Sequence, residues 1–311
     1  MKRMLLIPIL CAAGIAFGQA KTAAAPPQDL NPQAGPPMLG IHWARGFQPN
    51  ARITNEAKEA KPARPTRNPN MTYHGGKIMP TAVTKAIFWG TSWGSYSGDK
   101  VSGMDIWYNG FNISDYAKTS DEYTGTNGQV TPSTNHLGHI VDTSASTSGG
   151  NTSTILAEVC KAIGTPDSSG NGYYAVYADT PRGHASYCAY HSYGSCGGVP
   201  VQFAYFFDLD GDAGCDPQDT SGLHSQGLAA IANVSGHELS EARTDPASPG
   251  AWYDSSGQEN GDKCAWTFGA PLVNFSNNTQ WKIQGEWSNA AYTAGTGYPN
   301  SSGQKGCLSG Q

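Results

Sequence analysis

The sequence predicts a mixed α/β (α+β) fold: a single disulfide-bonded domain with a central sheet and an active-site-like helix, preceded by a disordered linker. Three observations lead there. Apolar runs of strand character alternate with two stretches of helical periodicity, the pattern of helices packed on a sheet. Charged residues are only 14% of the 311, while 39 glycines and 20 prolines punctuate the chain, which argues against a helical bundle and suits a loop-rich exported domain. Six of the seven cysteines lie beyond residue 150, and an even set in an oxidising compartment favours three disulfides over reactive thiols.

Residues 1–20 read as a secretory signal. Lys2 and Arg3 precede an apolar run from Met4 to Phe17, and Gly18-Gln19-Ala20 forms a small-residue cleavage site. The run is too short to anchor the chain across a bilayer, and no later stretch approaches a membrane span. A secreted protein, extracellular or periplasmic, is therefore expected. Residues 21–71 are rich in proline and alanine and read as a linker or pro-segment without a core of its own, with Ile41 and Trp43 as local docking points.

The main domain is assigned to residues 72–311. Thr84 to Gly90 reads as a buried strand ending at a glycine. Thr152 to Ile163 has apolar residues at helical spacing, with Gly164 as C-cap. Gly172 to Tyr177 and Val201 to Phe207 are two further strands. A helix is expected from Ser221 to Arg243, which Pro246 cannot continue. Short strands and turns follow Trp252. Proximity suggests pairing Cys188 with Cys196 and Cys264 with Cys307, and the absence of a CxxC motif argues against a thiolate zinc site.

The formal net charge of -5 is unevenly spread. Residues 21–71 carry seven bases and three acids, whereas 72–311 carry ten bases and twenty-one acids. An acidic main domain without a basic stripe excludes nucleic acid as a partner. Eleven of its acids lie between Asp208 and Asp262, opposed only by Arg243. Carboxylates this dense repel one another unless solvated, protonated or holding a cation.

Within that stretch, Gly236-His237-Glu238-Leu239-Ser240-Glu241 places His237 and Glu241 one helical turn apart on one side. The spacing lets both side chains grip one zinc ion, as the two histidines of HExxH peptidases do, with Glu238 in the place of the general base. A third ligand is left open among Asp245, Glu259 and Asp262. Upstream, Asp208, Asp210, Asp212, Asp216 and Asp219 fall at positions 1, 3, 5, 9 and 12 of a calcium-loop pattern. The glycine sits at position 4 and a strand precedes the loop, so this is not an EF-hand, but structural calcium is a reading of it. His184 and His191, flanking Cys188, reach a metal only from a disulfide-pinned loop. His136 and His139 are read as loop histidines. Ser235 and Ser240 lack a nucleophile elbow.

Thr72-Tyr73-His74-Gly75-Gly76-Lys77-Ile78-Met79, followed by Ile87-Phe88-Trp89-Gly90, resembles the opening of the EXORDIUM, or phosphate-induced, family of secreted plant proteins. The order of Cys188, His191, Ser192 and Cys196, and the helix with Gly236-His237-Glu238-Leu239, is similar to it as well. The resemblance covers roughly residues 72–260 and departs at Lys77 and Ile78 and in the tail. It implies an extracellular, cell-wall-associated protein with no settled catalytic activity. The block from His237 through Asp245-Pro246 and Glu259-Asn260-Gly261-Asp262-Lys263-Cys264 also looks like secreted bacterial proteins with an HExxE segment.

These features lead to a secreted zinc-dependent hydrolase, a metallopeptidase acting on an extracellular protein or peptide, with a monomer expected. Two alternatives stand beside it: a non-catalytic binder of cell-wall glycan stabilised by calcium, and a glycosidase using two carboxylates such as Glu238 and Glu259.

Overall fold

The computed structural model describes residues 35–47 and 68–310; the expected signal segment 1–20 and most of the expected linker lie outside these. A six-stranded mixed sheet organises the fold. Its strands are β1 (Leu39–Trp43), β2 (Ala82–Trp89), β3 (Thr134–Asp142), β4 (Gly172–Pro181), β5 (Tyr187–Cys196) and β6 (Val199–Asp208). In space they run β1-β5-β6-β4-β2-β3. The pairs β2/β3, β2/β4 and β4/β6 are parallel, while β5 is antiparallel to β6 and β1 to β5. The central strands carry aromatic and β-branched residues on both faces, as sheets covered on both sides require.

Five helices are described: α1 (Lys100–Phe111), α2 (Thr152–Ile163), α3 (Gln226–Thr244), α4 (Asn260–Lys263) and α5 (Asn289–Ala294). The register places α1 and α3 on one face of the sheet and α2 on the other. Tyr177 sits opposite Phe206 and meets Ser235 of α3 and Tyr108 of α1 at hydroxyl distances of 2.7 and 2.9 Å. Tyr190 and Tyr205 instead donate to the Gly149 and Thr147 carbonyls, just before α2. Helix α3 is buried almost throughout, from Gly227 to Thr244. Ser235 meets Tyr177 of the sheet, and Gly236 makes room for Tyr116. Ser225 accepts a bond from the Leu228 N–H and is itself held by Asp99, so the helix begins at Gln226 and not at Ser221.

The helix expected over 152–163 forms with the expected Gly164 cap, and the three expected strands form with longer ends. Other elements differ. Residues 39–43, assigned to the linker, form the edge strand β1 with His42 buried, so the sheet begins before residue 72. The segment around Cys188 and His191 is strand β5, and the His136/His139 segment is strand β3. The Cys188–Cys196 pairing is overturned: both lie on β5, eight residues apart along a strand rising about 3.3 Å per residue. The disulfides are Cys160–Cys196, Cys188–Cys215 and, as expected, Cys264–Cys307.

The tail wraps back onto the main core. Met71, Ile78, Tyr123 and Trp287 pack with the Cys264–Cys307 bridge in a second apolar cluster. Among the described residues no helix is long and apolar enough to cross a membrane.

Candidate metal centre

The HExxE spacing does on α3 what helical geometry requires: His237 Nε2 lies 3.1 Å from Glu241 Oε2, both fully buried. Two other elements converge on the same point. Antiparallel pairing opposite Ala204 turns His191 of β5 toward α3. The turn at α4 brings Glu259, whose Oε2 is 3.3 Å from His191 Nε2. Next to it, the Asp262 N–H donates to Glu241 Oε1 at 2.9 Å, leaving Oε2 of that carboxylate facing the histidines. Two overlapping triads result, His191/Glu241/Glu259 and His237/Glu238/Glu241, each with its ligand atoms within 4.8 Å of one another. Glu241 belongs to both.

Strand β1 roofs the cluster. Leu39 pairs with His191 and His42 with Ala189, so Gly40 and Ile41 together oppose Tyr190 in a β-bulge. Gly40 takes a φ of +45°, open to glycine at little cost, and a Cβ there would fall on Glu241 Oε2 and the His191 ring. The bulge turns His42 inward, 4.4 Å edge-to-face from His237. Gln284 joins them: its Oε1 is 3.0 Å from His42 Nε2 and its Nε2 is 3.0 Å from His237 Nδ1. Because Gln284 Oε1 also accepts from the Trp266 N–H and its Nε2 donates to the Gly261 carbonyl, the amide orientation is fixed. His237 Nδ1 therefore accepts, and the ring proton of the neutral imidazole sits on Nε2.

The electrostatics are those of a site short of positive charge. Burial lowers His237 to about 3, and burial together with the neighbouring His237 lowers His191 to about 3. Burial, then mutual repulsion, pushes Glu238, Glu241 and Glu259 well above the carboxylate range, and Asp262 with them. The basic residues nearest in sequence are engaged elsewhere: Arg243 donates to the Ala117 and Thr131 carbonyls, and Lys263 pairs with Asp254. Both Glu238 oxygens, Glu241 Oε2, His237 Nε2 and His191 Nδ1 are buried without a hydrogen-bond partner. Unpaired buried polar atoms are costly, and three of these are carboxylate oxygens, the atoms that a cation would satisfy.

Of the zinc candidates, Glu241 and Glu259 share a triad, and His237 shares the other with Glu238. Asp262 Oδ1 stays 3.9 Å from His237 Nε2. Asp245, a turn beyond Glu241, instead accepts from the Ala251 N–H and lies in neither triad. The calcium candidates do not converge. The Lys100 ammonium holds Asp208 and Asp210 at 3.0 and 2.7 Å, and Arg182 holds Asp212. Asp216 and Asp219 accept backbone N–H groups of their own turns. Ammonium and guanidinium groups thus pair with three of the five carboxylates.

His42, Gly40 and Gln284 escaped the sequence reading, since only strand pairing and the folded-back tail bring them here. His191 reaches the site by strand pairing as well. A cavity of about 400 Å³, with Pro37, Leu39, Tyr193, Asp245 and Tyr253 on its walls, reaches the cluster at Glu259. Comparison with family models, with characterised proteins and with solved structures gives no match to this chain, so its functional reading rests on these residues.

Proposed function

We propose that His191, Glu241 and Glu259 hold one divalent first-row cation, zinc being the best fit, as the centre of a metal-dependent hydrolase. The observation that carries the reading is the buried cluster of carboxylates and imidazoles with which no lysine or arginine among the described residues forms an ion pair. One imidazole and two carboxylates supply a nitrogen–oxygen donor set of the kind zinc takes, and the two carboxylates balance its charge. Calcium, which takes six to eight oxygens, fits this set poorly. The fixed Gln284 amide favours this triad over the other, because His237 offers no free Nε2 lone pair.

When bound, such a cation supplies Lewis-acid polarisation and lowers the pKa of a coordinated water. The remaining roles fall to the chain. His237 lies beside Glu241, its Nε2 3.1 Å from Oε2, and the Asp262 N–H holds the other oxygen. Glu238 has ligand atoms within 4.8 Å of Glu241, the reach of one intervening water, and serves as the base that takes the water's proton. Burial favours the neutral form of its carboxyl, and a cation held at the neighbouring ligands would favour the charged form. Glu259 stands between this machinery and the open cavity.

Cobalt(II) titration of the chelator-treated protein tests the assignment. One equivalent should bind with visible absorption in the wild type, and none in His191→Ala or Glu259→Gln. His237→Ala should still bind, about 10–100-fold more weakly, as loss of an orienting partner does. Loss in His237→Ala with full retention in His191→Ala would move the ion to the other triad. Glu238→Gln should bind cobalt normally and lose hydrolysis.

A further inference from the structure

Strand β1 has the geometry of an occupant. It pairs on one side only, at the sheet edge, and its register with β5 shifts on both sides of His42. Its Gly40 backbone lies against Glu241 and His191, where a Cβ would fall on both. Pro37 and Leu39, on the same segment, form part of the wall of the cavity that reaches Glu259. Without the segment, β5 would present a free edge of the sheet.

We propose that residues 35–47 are an intramolecular occupant of the metal site, lying where an extended polypeptide substrate pairs antiparallel with β5. The inference rests on the hydrolase reading above and deepens it in two ways. The substrate is an extended peptide that adds a strand to an exposed sheet edge, with a small residue at the closest approach to Glu241. The described form is closed, and displacement of β1 opens it. The segment is anchored at the site, where His42 Nε2 meets Gln284, and also beyond it. The Trp266 indole N–H donates to the Trp43 carbonyl at 2.8 Å, and the Arg45 guanidinium lies 4.2 Å over the Trp266 ring.

The test uses the full chain with a heterologous protease site inserted within residues 48–67. After cleavage, the fragment carrying residues 35–47 should separate on gel filtration while the rest keeps its circular dichroism. A chelator should then remove cobalt at least roughly tenfold faster than from uncut protein, since exchange no longer waits for local opening. A synthetic Gly35–Phe47 peptide should restore the slow rate and block hydrolysis of an unfolded protein substrate. Arg45→Ala, which loosens an anchor without touching the site, should speed removal in uncut protein. Retention of the fragment with unchanged removal, or unfolding on cleavage, would overturn the proposal. If uncut protein binds no cobalt, the metal reading has failed. Release and rebinding of the labelled peptide still decide occupancy, because they need no metal.

Discussion

Replacing Gly40 by alanine probes the roof of the site with a single methyl group. Two costs add. A φ of +45° is left-handed, and holding a non-glycine residue there costs about 1 kcal/mol. The new Cβ also falls on Glu241 Oε2 and the His191 ring, an overpacking that costs about 2 kcal/mol. The sum, about 3 kcal/mol, corresponds to a fall in melting temperature of roughly 6–12 °C for a domain of this size. Gly46→Ala is the control: its φ is +83°, but nothing lies within 4 Å of the added Cβ. It should show the backbone cost alone and keep its ion. Scanning calorimetry on both variants, with bound metal measured in parallel, separates the two terms. Equal losses in the two variants, with metal retained in both, would refute the claim that Gly40 closes on the ligands.

Other expectations concern charge and covalent links. Burial raises Asp245 from 3.8 to about 7, so the folded state prefers its protonated form. That contribution is fully present below pH 3.8 and is lost as pH rises toward 7, by at most about 4 kcal/mol. Urea titrations of Asp245→Asn across this range should show a flatter pH dependence than the wild type. Lys100→Met should cost about 1–2 kcal/mol by leaving Asp208 and Asp210 unpaired, a modest figure because both carboxylates are partly solvated. Calcium at millimolar concentration should leave the wild-type melting curve unmoved, because Lys100 and Arg182 already hold three of the loop's carboxylates. Replacing Cys188 and Cys215 together by alanine should cost about 3.6 kcal/mol on the chain-entropy model for a 27-residue separation, read from the denaturant midpoint.

What the sequence disclosed follows from the range of the interactions involved. Helix α2 could be read because its apolar stripe and terminal glycine are local, and the central strands because their apolar runs are continuous. Strand β3 was hidden: it is an edge strand that alternates between exposed and half-buried residues, with little apolar content. Strand β5 was hidden by its histidine, serine and cysteine residues, whose burial is decided by the neighbouring β6 and β1. In the site, Glu241 was readable from helical spacing and Glu259 from acid density. The partnership of Glu259 with His191, 68 residues away, depends on strand pairing and on the turn at α4. Likewise, Gly40 matters only because a bulge delivers it to Glu241. Lys100 could not be matched to Asp208, 108 residues on, because only the fold brings the two together.

The most direct test of the central claim is elemental analysis of full-length protein, purified from an oxidising compartment without chelator or affinity tag. The wild type is measured beside Glu241→Gln and the double variant Asp208→Asn/Asp210→Asn. The account predicts one first-row divalent ion per chain in the wild type and the aspartate variant, and none in Glu241→Gln with its fold intact. An ion retained in Glu241→Gln but lost from the aspartate variant, or a folded wild type that takes up no ion, would contradict it.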